Sequence, residues 1–330
     1  MSAGRLAALM LLLTALVPMR ASAYLKFGVD VNGRTVPVRW ASGPIAYAIT
    51  ERDVSGVTAQ AFADAVGRAA ATWSRVEGLP ISFTGGGLTR SLPLEVDGRS
   101  TIGFLDRPDQ ERVLGATTFV LDAETGALIE SDIYFNTRFR WSTAAGGEAG
   151  ANDVESVALH ELGHLLGLGH SAIGETEVNG SGRRVVSTGA VMFPIAWPSG
   201  SIADRVLQAD DITGVRDLYD ALDDSRAGSV QGHVLKDGRG VYGAHVVAFG
   251  LESGVLVGGF TLSDDGLFVI AGLPEGPYVL RVEPLDDADL ESFFTPSRID
   301  IDFAVTFAPR LAVVQAGGAS RPVDIEVRRR

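Results

Sequence analysis

Residues 160–170 read His-Glu-Leu-Gly-His-Leu-Leu-Gly-Leu-Gly-His, and this stretch constrains the chain more than any other. Two histidines four residues apart share one face of an α-helix. His160 and His164 can therefore offer two imidazoles to a single ion. Glu161, next to the first histidine, is placed to work beside such an ion rather than on it. Gly167 supplies the positive φ that ends a helix sharply, so the chain can turn back and bring His170 to the same point. Three imidazoles suit Zn²⁺, and three protein ligands leave a fourth tetrahedral position open, the mark of a catalytic rather than a structural site. The chain has five histidines in all, and three of them fall in this window.

A third histidine at this spacing resembles the metzincin form of the motif, and that resemblance implies a methionine turn downstream. Ala190-Val191-Met192-Phe193-Pro194 supplies one, 22 residues after His170. The other methionines, Met1, Met10 and Met19, lie in the N-terminal leader described below. Met192 is thus expected under the metal site, orienting it without chemistry of its own.

Val157 to Ser171, Ala190 to Pro194, and Leu207 to Tyr219 with its Asp210-Asp211 pair together resemble the matrixin branch of the metzincins, of a bacterial type without a cysteine switch. The resemblance reaches more weakly to Trp40, Ile45–Ile49 and the Phe62–Trp73 stretch. It implies an α+β metzincin domain, a twisted mixed sheet with the active-site helix and the methionine turn. It also implies a zinc endopeptidase acting on polypeptide substrates, with His160, His164 and His170 as ligands and Glu161 as general base. Leu114–Val120 would be the edge strand that pairs with an extended substrate. Animal matrixins carry a prodomain cysteine on the zinc, whereas this chain has no cysteine. They also hold a second zinc through histidines upstream, and no histidine precedes His160. The tyrosine common two residues after the turn proline is Ala196 here, followed by Trp197.

The N-terminus is read as a signal peptide over residues 1–23. Arg5 precedes an apolar run from Leu6 to Val17, and Ala21-Ser22-Ala23 is a small-residue cleavage site. Cleavage before Tyr24 would deliver a secreted, extracellular or periplasmic protein without a membrane anchor. Losing Arg5 and Arg20 would take the net charge from −13 to −15. Such a charge disfavours nucleic acid and anionic membranes as partners. Residues 24–35 are short but could cross a cleft in extended form; Phe27-Gly28-Val29-Asp30 is read as a solvated turn, with a carboxylate carried to the metal by Asp30 as the rival reading.

Helical periodicity over Thr58–Val76 places Phe62, Val66, Ala69, Ala70 and Trp73 on one stripe. Strands are predicted at Ile45–Ile49, Ile81–Thr84, Ser100–Phe104, Leu114–Val120 and Leu128–Phe135. The metal-site helix is predicted to start after Asn152 as cap, with Glu155 closing a capping box. A last helix is expected over Ala209–Leu222. Asp122, Glu124 and Asp132 offer hard oxygens for Ca²⁺, with plain solvated turn residues as the alternative reading.

The pattern changes after Asp223–Gly228, a polar, small-residue linker (223–228). Short strands are predicted at Val230–Leu235, His245–Phe249, Leu256–Thr261, Leu267–Ile270, Tyr278–Val282, Ile299–Phe303 and Val323–Val327. This spacing predicts an all-β sandwich over 229–330. Its turns, Asp264-Asp265-Gly266 and Leu273 to Tyr278, with Gly243-Ala244-His245-Val246, resemble the carboxypeptidase regulatory-like, transthyretin-like sandwich. His233 and His245 are read as ordinary strand residues rather than a second metal site. Every candidate catalytic residue precedes the linker, so 24–222 is the expected catalytic domain. A non-enzymatic surface or adhesion protein with a vestigial zinc site is the competing reading. The intact Glu161 weighs against it.

Overall fold

The computed structural model describes residues 24–179, 182–285 and 299–330, with the backbone of 8–11 and 17–18. The rest of the expected leader, and so its cleavage site, lies outside the described residues. The chain divides into two compact units, and neither is contiguous in sequence: 27–167 with 197–207 in one, and 24–26, 168–196 and 208–330 in the other, beside short leader segments in each.

The first unit is built on a mixed six-stranded sheet. Its strands run in the order Ala8–Leu11, Gly115–Asp122, Leu128–Asn136, Ser100–Leu105, Ile45–Thr50 and Phe83–Thr89. The last four are mutually parallel, and Gly115–Asp122 pairs antiparallel to Leu128–Asn136. Parallel neighbours demand crossovers, and α1 (Ala59–Ser74) supplies the one between Ile45–Thr50 and Phe83–Thr89. Thr58 caps α1 by accepting from the Ala61 amide at 3.2 Å. The stripe predicted from periodicity is buried throughout: Phe62, Val66, Ala69, Ala70 and Trp73. Trp73 also donates its indole N–H to the Leu159 carbonyl at 2.8 Å, which fixes α1 against the metal-site helix. That partner matters, because a buried indole N–H without one would be costly.

The metal-site helix, α2, spans Val154–Leu165. Its cap is Asp153 rather than the predicted Asn152. The reason lies in the sheet: Asn152–Asp153 pairs in parallel with Trp141–Ser142, which keeps the chain extended one residue longer. Asp153 then accepts from the Ser156 amide at 2.8 Å and binds Arg205. The predicted strand Ile81–Thr84 begins at Phe83 and runs on to Thr89 through three glycines. Residues 27–37 form a hairpin of Phe27–Val31 and Arg34–Pro37. Gly126 shows why its turn needs glycine: φ is +73° and a side chain there would meet the Pro37 carbonyl at 2.5 Å.

The second unit contains the hairpin Gly174–Asn179 with Gly182–Thr188, helix α3 (Ala209–Leu218) and two sheets. One sheet orders Arg239–Gly240, Ala227–Lys236 and Leu267–Pro274, with Ile325–Val327 beside Ala227–Lys236. The other orders Leu256–Phe260, His245–Gly250, Gly276–Glu283 and Thr306–Phe307, with Ala312–Val314 also on Gly276–Glu283. Val230, Val234, Phe268 and Ile270 of the first sheet share a buried cluster with Val246, Ala248, Leu280 and Val282 of the second. Helix α3 stops at Leu218 and not at Leu222, because Asp220 takes a left-handed backbone with φ +54°. The predicted strand at Ile299–Phe303 is irregular, although Phe303 is buried. Thr306–Phe307 and Ala312–Val314 pair with Gly276–Glu283 instead. Among the described residues no helix is long and apolar enough to cross a membrane.

Candidate metal centre

The site begins with the C-terminal turn of α2. His160 and His164 project one helical turn apart, with ring centroids 4.7 Å from each other. The helix then closes: the Leu166 amide bonds the Leu162 carbonyl, and the Gly167 amide bonds the His164 carbonyl at 2.7 Å. Gly167 takes φ +104°, the conformation the sequence required of it. The following residues bring His170 round. One ligand nitrogen from each of His160, His164 and His170 lies within 4.8 Å of the others. Among the described residues these three are the one group with such a disposition. Their spacing is consistent with convergence on one ion through nitrogen bonds of about 2.0–2.1 Å.

Glu161 follows the first of these histidines on α2 and is 5% exposed. Its carboxyl is pushed up to about 7 by burial, against the opposing effect of a hydrogen bond from Thr117. The Thr117 hydroxyl sits 2.7 Å from Glu161 Oε2. Thr117 belongs to Gly115–Asp122, the strand expected at the sheet edge in a substrate-pairing role; it is not the edge here, because Ala8–Leu11 pairs antiparallel with its residues 119–122. Two residues earlier on that strand, a side chain at Gly115 would lie 3.4 Å from Glu161 Oε1. Glycine thus leaves room beside the carboxylate. Phe27 packs against the His164 ring with centroids 5.7 Å apart, and its amide bonds the Gly167 carbonyl at 3.0 Å.

Met192 is buried in the turn Ala190–Pro194. Its carbonyl accepts from the Ser171 amide at 2.8 Å, one residue beyond His170. The turn itself is held by Asp211 of α3. Its two carboxylate oxygens accept the Val191 amide at 2.9 Å, the Met192 amide at 3.0 Å and the Gln208 amide at 2.8 Å. Burial, reinforced by the neighbouring Asp210, raises the Asp211 carboxyl to about 7 despite these bonds. The sequence marked Asp210-Asp211 as the start of a helix but carried no sign that Asp211 holds the methionine turn. Thr117 had no sequence signal at all, since strand threonines are common and its partner is 44 residues away.

The remaining sequence candidates are dispersed. Asp122 caps its own turn through the Glu124 and Thr125 amides. Asp132 accepts from the Leu94 and Thr101 amides. The side chains of Asp122, Glu124 and Asp132 form no metal-capable group among the described residues. Asp30 bonds the Gly33 amide in its hairpin. His233 pairs with Asp324 at 3.1 Å on the surface. Trp197 donates its indole N–H to Asp204 at 3.1 Å, and burial raises that carboxyl to about 6. Tyr24, Leu25 and Lys26 are buried, and the Gly169 amide bonds the Leu25 carbonyl at 2.7 Å.

This fold and this histidine cluster define a class, the metzincin-like zinc proteins. A profile described as Matrixin matches residues 39–220, more than half of the chain. The chain belongs to the matrixin family. It is 31% identical over 194 residues to Metalloendoproteinase 1-MMP of Arabidopsis thaliana, covering 55% of this chain and 44% of that protein. It is 28% identical over 194 residues to the hatching enzyme of Paracentrotus lividus, covering 56% and 26%. Over 94 residues it is 33% identical to stromelysin-1 of Mus musculus, covering 28% and 16%. The chain thus spans less than half the length of these relatives.

Proposed function

We propose that this chain is a secreted zinc-dependent endopeptidase. The observation that carries the reading is the pairing of a three-histidine cluster with a buried carboxyl one residue from its first member. His160, His164 and His170 would hold Zn²⁺ as neutral imidazoles. When bound, the ion supplies Lewis acidity at its open coordination position. Glu161, as carboxylate, takes a proton from the attacking water and then delivers it to the departing amine nitrogen. Thr117 holds the carboxylate in place. Met192 supports the floor, and Asp211 supports Met192. With residues 1–23 removed, the side of the strand Gly115–Asp122 that Ala8–Leu11 occupies would receive an extended polypeptide by main-chain pairing, which gives affinity with little side-chain selectivity.

The catalytic part is proposed to span 24–222 and the C-terminal sandwich 229–330, of the carboxypeptidase regulatory-like kind. Export with removal of 1–23 is part of the same reading and rests on Arg5, the apolar run and Ala21-Ser22-Ala23. Glu161→Ala should keep one zinc per chain and lose nearly all cleavage of a quenched fluorescent peptide. Changing any of the three histidines to alanine should instead lower bound zinc. Undiminished turnover by Glu161→Ala, or full zinc content in all three histidine variants, would overturn the assignment.

A further inference from the structure

Asp210 is a buried carboxylate, 4% exposed, one residue from the aspartate that holds the methionine turn. A carboxylate this deep needs partners. It hydrogen-bonds the Ser171 side chain, immediately after His170. Its Oδ1 accepts the Gly258 amide at 2.8 Å. Gly258 lies in the strand Leu256–Phe260, far along the chain among the C-terminal sheets. Behind it stands His245, 1% exposed, whose Nδ1 is 2.9 Å from Glu283 Oε1. The other ring nitrogen, Nε2, is buried and makes no hydrogen bond. It lies against Gly258, where an added Cβ would meet it at 2.6 Å, and His245 is near enough to Asp210 to favour its charge. The same Cβ would meet Ile173 Cγ1 at 3.0 Å, so the segment after His170 packs directly on this strand. His170, Ser171, Met192, Asp210, His245 and Gly258 line one cavity.

We propose that Gly258 and His245 are positioning residues for the metal centre, fixing Asp210 and through it the Ser171 end of the third histidine ligand. The C-terminal strands then form part of the site rather than an appendage to it. Hydrogen bonds one step behind a metal ligand set its orientation, and their loss typically costs about 10- to 100-fold in metal affinity. The Asp210 carboxylate joins two segments that would otherwise move independently: the amide of a strand that carries no ligand, and the hydroxyl next to one that does. Gly258 has to be glycine for this contact to close, since any side chain would drive the strand away from His245 and Ile173.

This inference rests on reading His170 as a zinc ligand. The test is therefore zinc binding by the full chain, measured by competition with a chromogenic chelator and by the change in melting temperature on adding zinc to metal-free protein. Ser171→Ala, Asp210→Ala and His245→Ala should each weaken zinc binding, Asp210→Ala by about 10- to 100-fold. Ser171→Thr, which keeps the hydroxyl, should restore most of the affinity. Ile270→Ala, in the buried core but outside this network, should lower stability and leave zinc affinity unchanged. Asp210→Ala and His245→Ala with wild-type zinc affinity would overturn the proposal, as would an equal loss in Ile270→Ala. If Asp210→Ala does not fold, the Ser171 pair decides: equal affinities for Ala and Thr refute it. Wild-type protein that binds no zinc would instead overturn the reading of His170.

Discussion

Thr117→Val removes the hydroxyl that stands 2.7 Å from the Glu161 carboxylate and 3.1 Å from the Glu161 carbonyl oxygen. Valine keeps the shape of threonine and removes only the hydroxyl. The bond to the carboxylate is 2.7 Å long and both partners are buried, Thr117 at 0% exposure and Glu161 at 5%. A hydrogen bond to a charged group contributes about 1.5–3 kcal/mol. If the carboxylate must be held in one orientation to move a proton, that amount appears in the barrier. Each 1.4 kcal/mol is about tenfold, so kcat/KM should fall by roughly 10- to 150-fold. The loss should sit in kcat, because Thr117 acts on the base and leaves backbone pairing along its strand intact. The assay is steady-state cleavage of a quenched fluorescent peptide at matched zinc content, with Thr117→Ser alongside. Serine keeps the hydroxyl and should recover most of kcat. Wild-type kcat in Thr117→Val would refute the reasoning. So would equal impairment in the serine variant, which would assign the effect to the methyl group and its packing.

Two further outcomes follow from burial. In metal-free protein the Glu161 carboxyl is raised from 4.5 to about 7, so ionising it opposes folding. Its contribution to stability is full below about 4.5 and is lost as pH rises through about 7. A tenfold change in proton affinity corresponds to ~1.4 kcal/mol, so relative to Glu161→Gln, metal-free wild type should lose about 3 kcal/mol between about pH 4.5 and 8. Urea melts at about pH 5 and 8 measure this, and a difference that does not change with pH contradicts it. Protein starting at Val36 lacks Tyr24 and Leu25, both 6% exposed, and the Lys26–Asp217 ion pair. Two buried side chains contribute about 1.5–3 kcal/mol each, so this form should melt well below protein starting at Tyr24 and gain no activity. A large gain on trimming would mark residues 24–35 as an inhibitory segment.

The three-histidine cluster and the carboxyl beside it were legible in the sequence because the pattern that makes them is local. His160, Glu161 and His164 need only the period of a helix, and Gly167 needs only the freedom of a residue without Cβ. Helix α1 was legible for the same reason, since its buried stripe repeats with the helical turn. Met192 was found through the resemblance that the histidine spacing and the Ala190–Pro194 turn bear to the metzincins. What surrounds these groups depends on contacts between distant segments. Thr117 reaches Glu161 only because a sheet strand lies beside α2, and periodicity carries no record of which strand that is. The cap of α2 moved from Asn152 to Asp153 because of a pairing with Trp141–Ser142 that no local rule contains. Asp210 and Asp211 look like the acidic first turn of any helix. Tertiary packing assigned them separate tasks, Asp211 accepting the amides of the methionine turn and Asp210 the amide of Gly258. The sequence by itself therefore determined which atoms could bind and move protons. The tertiary structure alone decided which buried groups hold those atoms still, because burial and hydrogen-bond satisfaction belong to the folded chain and not to any stretch of it.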